Sequence, residues 1–209
     1  MNRNNKPSAA YLVAIAAALA LAATLTACGA GTPQDTQAQE PPLAGSTIGG
    51  DFTLTDSKGQ TVRWGDFAGK YRIVYFGYTF CPDICPTDMQ RVAQGLKILK
   101  GKDAELAAKV VPIFISIDPD RDTPAVVGEF ASAFSPDVVG LTGTPDQIAA
   151  TAQTFKVAYA KEPPATNGSY LMQHSTIVYL FGPDGAPIAT LPTDLGAEAV
   201  AAELERWLN

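Results

Sequence analysis

A mixed α/β sandwich is what this sequence predicts, on three observations. Two mostly apolar runs rich in β-branched and aromatic residues, Arg72–Phe76 (RIVYF) and Val110–Ile117 (VVPIFISI), are too short for typical helices. They read as strands buried on both faces of a sheet. Between them, Met89, Val92, Leu96 and Leu99 recur at helical spacing within Thr87–Lys100, which makes that stretch a crossover helix. Near the C-terminus, Gly182-Pro183-Asp184-Gly185 separates Ser175–Phe181 from Ala186–Leu191, a strong hairpin turn between two strands.

The remaining elements fall around this frame. Phe52–Thr55 and Thr61–Arg63 flank the turn composition Asp56-Ser57-Lys58-Gly59, an N-terminal β-hairpin. Pro124–Phe134 and Thr144–Phe155 read as two further helices with a short strand between them. The second of these opens on Thr144-Pro145-Asp146, a capped start. Gly196–Leu208 closes the chain as a helix. Hairpin, β, α, β, α, short strand, α, β-hairpin, α is the order of a thioredoxin-like sandwich carrying an extra N-terminal β-hairpin.

Composition narrows the function before any motif does. Hydrophobic residues at 46% against 17% charged exclude a disordered chain. With 15 Lys+Arg against 21 Asp+Glu, net −6, the chain has no electrostatic grip for nucleic acid. Three Cys and one His are too few for a disulfide-rich scaffold, and too few for a zinc finger once one Cys is otherwise used.

The N-terminal segment accounts for that one Cys. Arg3 and Lys6 precede an uncharged, Ala- and Leu-rich stretch from Ala9 to Leu25, the n- and h-regions of a secretory signal peptide. The string Leu25-Thr26-Ala27-Cys28 resembles the bacterial lipobox, so residues 1–27 are expected to be removed and Cys28 to become the lipidated N-terminus. A plain signal peptide or an uncleaved anchor is the alternative. Losing Arg3 and Lys6 from the 15 basic residues leaves 13 against 21 acidic, net −8. Residues 28–46, rich in Gly, Pro, Gln and Thr, read as a flexible linker, and 47–209 as the working domain. The expected location is extracytoplasmic, tethered to the cell membrane.

Cys81-Pro82-Asp83-Ile84-Cys85-Pro86 lies just past the RIVYF strand and just before the crossover helix. Ligands gather outside the carboxyl ends of strands in open α/β sheets, and a helix N-terminus favours thiolate over thiol. A spacing of four residues sets the two Cα atoms roughly 6 Å apart, close enough for a disulfide or for both sulfurs to hold one ion. Each state excludes the other, so Cys81 and Cys85 are candidates both as a redox pair and as metal ligands. A purely structural disulfide is the alternative, but a loop this short restricts the unfolded chain little. His174, the only histidine, stands immediately before Ser175–Phe181. It is either structural or a third ligand. Two thiolates with one imidazole suit Cu(I) and can accept Cu(II). Asp118, directly off the second core strand in Asp118-Pro119-Asp120-Arg121-Asp122-Thr123-Pro124, is a candidate for supporting the thiols. Asp120 and Asp122 read as a solvated turn paired with Arg121.

Together, Tyr75–Met89 (YFGYTFCPDICPTDM), the DPDRDTP turn and the lone His before STIVYLFGPDG resemble the Sco/SenC family of membrane-tethered, thioredoxin-fold copper proteins, in consistent order over about residues 48–208. The resemblance implies copper bound through Cys81, Cys85 and His174, and delivery to the CuA centre of cytochrome c oxidase subunit II or another extracytoplasmic copper acceptor. Some members look more like thiol-disulfide reductases that keep the acceptor's cysteines reduced, which is the alternative here. Gln173 stands where the family often has Asp, so no carboxylate is expected beside the histidine. Two features count against a general reductase enzyme: the CxxxC spacing, and the absence of the proline that thioredoxins resemble one another in having before this strand.

Overall fold

The computed structural model describes residues 39–208. The expected signal peptide 1–27, Cys28 and most of the expected linker lie outside the described residues. Pro41–Ser46, assigned to the linker by composition, form a turn docked on the domain: Leu43 donates its N–H to Ile188 at 3.0 Å and packs against the core.

The chain runs β1 (Thr53–Asp56), β2 (Thr61–Arg63), a 3-10 turn, β3 (Tyr71–Gly77), α1 (Ile84–Lys102), α2 (Ala104–Ala107), β4 (Val110–Ser116) and α3 (Pro124–Ser132). It continues through β5 (Val139–Thr142), α4 (Pro145–Thr154), β6 (Tyr159–Lys161), β7 (Met172–His174), β8 (Val178–Phe181), β9 (Pro187–Leu191), a second 3-10 turn and α5 (Ala197–Trp207). Among the described residues one sheet has the order β2-β1-β5-β4-β3-β8-β9, and β6 with β7 forms a separate two-stranded ribbon.

β3 pairs parallel with β4 and antiparallel with β8, and every residue of β3 is buried. That burial on both faces is why RIVYF carries no polar alternation. The β3–α1–β4 crossover makes the thioredoxin-like centre, and β1 pairs antiparallel with both β2 and β5. Helix starts follow local chemistry. Thr144 and Gln147 exchange reciprocal capping bonds at α4, at 3.2 and 2.8 Å, and Pro124 opens α3 behind Thr123. Gly95 lets α5 lie close on α1, since a Cβ there would fall 2.6 Å from Val200 Cγ1.

Two departures from the sequence reading matter for the site. Helix α1 begins at Ile84 rather than Thr87, so Cys85 lies in its first turn. Strand β8 begins at Val178 rather than Ser175, because His174 belongs to the ribbon: Ser175 donates its N–H to Ala158 at 2.9 Å, prolonging the β6–β7 pairing.

Candidate metal centre

Cys81 and Cys85 are both buried free thiols, and their sulfurs and the His174 ring lie within 4.8 Å of one another. The two cysteines arrive from the β3–α1 corner and the histidine from β7. Asp83 occupies the N-cap of α1, yet its side chain makes no capping bond. Cys81 Sγ does that work, accepting the Cys85 N–H at 3.4 Å. Burial pushes the Cys81 thiol up, but the Cys85 thiol and the N–H groups of Asp83, Cys85 and Ile84 outweigh it, and the net direction is down. A sulfur aimed at unsatisfied helix N–H groups is the arrangement that favours thiolate. Cys85 goes the other way: burial raises it, and the Cys81 sulfur raises it further.

The histidine has one nitrogen reserved and one free. Nδ1 lies 2.9 Å from the Ser175 carbonyl oxygen, which can only accept, so Nδ1 carries the proton. Nε2 therefore presents its lone pair to Cys85 Sγ, 3.2 Å away, and the Cys85 S–H donates to it. Burial lowers the imidazole, against smaller opposing effects from the Ser175 carbonyl and the Asp88 carboxylate. The ring is held edge-on by two tyrosines, with centroids 6.1 Å from Tyr75 and 6.0 Å from Tyr78. Burial raises the Tyr78 phenol, against the opposing influence of the nearby Met172 backbone of β7.

This donor set fits a soft ion in trigonal coordination. Bonds of about 2.3 Å to sulfur and about 2.0 Å to nitrogen require S···S and S···N separations of about 4.0 and 3.7 Å. The observed ligand atoms all lie within 4.8 Å of one another, with Cys85 Sγ and His174 Nε2 at 3.2 Å, so the three can close on one ion by side-chain adjustment without moving the backbone elements that carry them.

Gly77 permits the packing. A Cβ at this position would lie 3.0 Å from Cys85 Sγ and 3.0 Å from Phe114 Cε2. Gly77→Ala is therefore expected to displace the Cys85 sulfur, destabilising the fold by about 1–3 kcal/mol and weakening metal binding in the folded fraction. Denaturant unfolding and a chelator competition check the two effects separately. Unchanged values for both would show that the sulfur does not rest on Gly77.

Asp118, the candidate supporting residue of the DPDRDTP turn, makes no direct bond to the ligands. Asp118 is buried, but its carboxylate takes Arg121 Nε at 2.5 Å and the Tyr170 hydroxyl at 2.8 Å, with no bond to a thiol or to the imidazole. Only Asp120 is the solvated residue expected, paired with Lys161 at 3.4 Å. Asp122, read as solvated too, is 1% exposed. Its carboxylate accepts the Thr79 N–H at 3.0 Å, the Thr79 hydroxyl at 2.6 Å and the Ser116 hydroxyl at 2.5 Å.

Behind Cys85 lies a pair that the sequence reading missed. Asp88, one helical turn on, is buried with its carboxyl raised by that burial, against the opposing influence of the nearby Thr193 and Tyr75 side chains and the charge of Arg91. The buried Tyr75 hydroxyl faces Cys85 and Asp88 without a hydrogen bond of ordinary geometry. The i+3 spacing from Cys85, which places Asp88 near the same helix face, was the available signal.

A thioredoxin-like sheet whose strand-to-helix corner faces two free thiols toward one imidazole defines a class of thiol–imidazole domain. The chain belongs to the SCO1/SenC family, which its residues 40–209 match. It is 40% identical over 166 residues to protein SenC of Rhodobacter capsulatus, covering 79% of this chain and 73% of that one. Over 154 residues it is 37% identical to the mitochondrial SCO2 homologue of Bos taurus, covering 74% of this chain but 55% of the bovine protein. The chain thus spans little more than half the length of that relative. Among solved structures it resembles ScoI of Bradyrhizobium japonicum with copper bound, at 40% identity and a TM-score of 0.69, covering 77% of this chain and 99% of that one.

Proposed function

We propose that this protein is a copper metallochaperone. It takes up copper through Cys81 Sγ, Cys85 Sγ and His174 Nε2, and passes it to the CuA centre of cytochrome c oxidase subunit II or another extracytoplasmic acceptor. The observation that carries the reading is the convergence of two thiol sulfurs on an imidazole nitrogen whose lone pair is free. Copper in the Bradyrhizobium relative supports the choice of ion.

Three ligands leave an approach open, so an incoming thiolate or imidazole can bond to Cu(I) as one of these three leaves, with no change of oxidation state. Large apolar side chains are exposed on either side of the ligands: Phe80 and Ile84 beside the cysteines, Leu171 and Ile177 three residues to each side of His174. Such a surface excludes water from the exchange. The site is proposed to work outside the cytoplasm, with residues 1–27 as signal peptide, Cys28 as lipid anchor and the following residues as linker to the membrane. No helix among the described residues is long and apolar enough to cross a membrane.

Incubating the copper-loaded protein with an apo subunit II domain, separating the two and measuring copper in each tests the assignment. Copper is expected on the acceptor. Copper retained by the donor, with acceptor disulfides reduced instead, would assign the protein to thiol-disulfide exchange. The opposed shifts of Cys81 and Cys85 favour that second reading, since they match an attacking and a resolving thiol.

Proton competition gives copper binding a pH dependence of defined sign. Burial keeps Cys85 protonated through neutral pH, so copper must displace that proton and affinity must rise with pH. His174, lowered, is already the neutral imidazole there, with its one proton on Nδ1 and Nε2 free, so it has no proton to release to copper. Where Cys81 is already thiolate, affinity rises about tenfold per pH unit, and below that range more steeply. Chelator competition across the neutral range measures the slope, and a pH-independent affinity contradicts the protonation states derived above.

A further inference from the structure

We propose that the turn from Asp118 to Asp122 is a two-armed brace that sets the distance between the thiols and the imidazole, an inference that rests on the metal-binding reading above. The three ligands belong to two separately hydrogen-bonded bodies. Cys81 and Cys85 follow β3 of the main sheet, whereas His174 ends β7 of the ribbon, which pairs only with β6. The gap between such bodies is set by what ties them together.

One arm holds the cysteine loop. Asp122 fastens Thr79, two residues before Cys81, by both its N–H and its hydroxyl, and fixes itself to the main sheet through Ser116 at the end of β4. The other arm holds the ribbon. Arg121 donates through Nη1 to the Tyr170 carbonyl at 2.9 Å, and its guanidinium carbon lies 3.6 Å from the Tyr170 ring centre. Asp118 closes this arm from below, gripping Arg121 Nε and the Tyr170 hydroxyl with its two oxygens. Tyr170 stands four residues before His174. The same guanidinium also lies 4.8 Å from the ring centre of the exposed Phe80, but its side-chain hydrogen bonds go to Asp118 and Tyr170, so its hold is on the ribbon.

Asp118, Arg121 and Asp122 are thus positioning residues that touch no ligand atom, and the two arms have distinguishable signatures. Asp122 acts on Cys81, so its effect must survive removal of the imidazole. Arg121 acts on His174, so its effect must vanish with the imidazole. Groups supporting metal ligands are typically worth about 10- to 100-fold in affinity.

The test is a pair of double-mutant cycles. Thr79→Val, Asp122→Asn and Arg121→Gln are each made in the wild-type and His174→Ala backgrounds. Cu(I) affinity is measured by chelator competition, and the alkylation rate of Cys81 at neutral pH by mass mapping. Thr79→Val and Asp122→Asn are expected to weaken copper binding and alter Cys81 alkylation in both backgrounds. Arg121→Gln is expected to weaken binding about tenfold in the wild type, with no effect in His174→Ala and no change in Cys81 alkylation. Variants that lower the melting temperature while copper affinity and Cys81 alkylation stay at wild-type values would overturn the brace. So would equal effects of Arg121→Gln in both backgrounds. Failure of the wild type itself to bind copper would sink the functional reading instead. The alkylation arm would still decide the brace, since identical Cys81 rates in Asp122→Asn and wild type would refute it.

Discussion

Replacing Cys85 by Ser is expected to reduce copper affinity about 100- to 1,000-fold. Four-ligand zinc sites in small domains are worth about 10–16 kcal/mol, so one strong ligand accounts for about 3–4 kcal/mol, or two to three factors of ten. A hydroxyl is a poor ligand for a soft ion, so serine does not recover the loss. Cys85 is also the centre of the cluster: its sulfur rests on Gly77, its S–H meets His174 Nε2, and its N–H meets Cys81 Sγ. The substitution removes the disulfide partner of Cys81 as well, so copper binding and thiol exchange fail together. Competition against a Cu(I) chelator measures the first and reaction with a small disulfide the second. Wild-type affinity in Cys85→Ser would remove the two-thiolate site from the account.

His174→Ala is expected to separate the two capacities that Cys85→Ser destroys together. Copper affinity should fall by about 100-fold for the loss of one of three ligands, while the Cys81–Cys85 pair still forms and breaks a disulfide. The fold should lose about 1–3 kcal/mol, since the ring's edge contacts with Tyr75 and Tyr78 go with it. Titrating copper into the reduced variant, alongside its disulfide reduction kinetics, reads both. An affinity equal to wild type would mean that His174 is only a packing residue between the tyrosines. Loss of disulfide chemistry would mean that the imidazole acts on the thiols themselves.

Much of this architecture was legible in the sequence because its signals are long and periodic. RIVYF and VVPIFISI could hardly be anything but doubly buried strands, and the Met89, Val92, Leu99 stripe of α1 is buried as its spacing requires. The ribbon was not legible. Tyr159–Lys161 and Met172–His174 are three-residue strands with half-exposed side chains, too short for alternation to register. The histidine that the sequence places just before the Ser175–Phe181 strand therefore ends a ribbon strand of its own, with three residues between it and β8.

The DPDRDTP turn shows a second limit. Composition marks such a string as a turn but does not distinguish a solvated carboxylate from a buried one, and of its three aspartates only Asp120 is solvated. Three donors from Thr79 and Ser116 offset the burial of Asp122, and those partners lie on other elements. Only the fold brings them together. Pro41–Ser46 read as linker for a related reason, since a Pro- and Gly-rich turn carries no packing signal until Leu43 is seen against the core.

The most direct test of the central claim is X-ray absorption at the copper edge of the fully reduced protein carrying one equivalent of Cu(I). Two sulfur scatterers at about 2.3 Å and one nitrogen at about 2.0 Å are expected, with the nitrogen shell absent in His174→Ala. A shell of sulfur alone in the wild type, or copper that stays with the competing chelator, would contradict a site built from Cys81, Cys85 and His174.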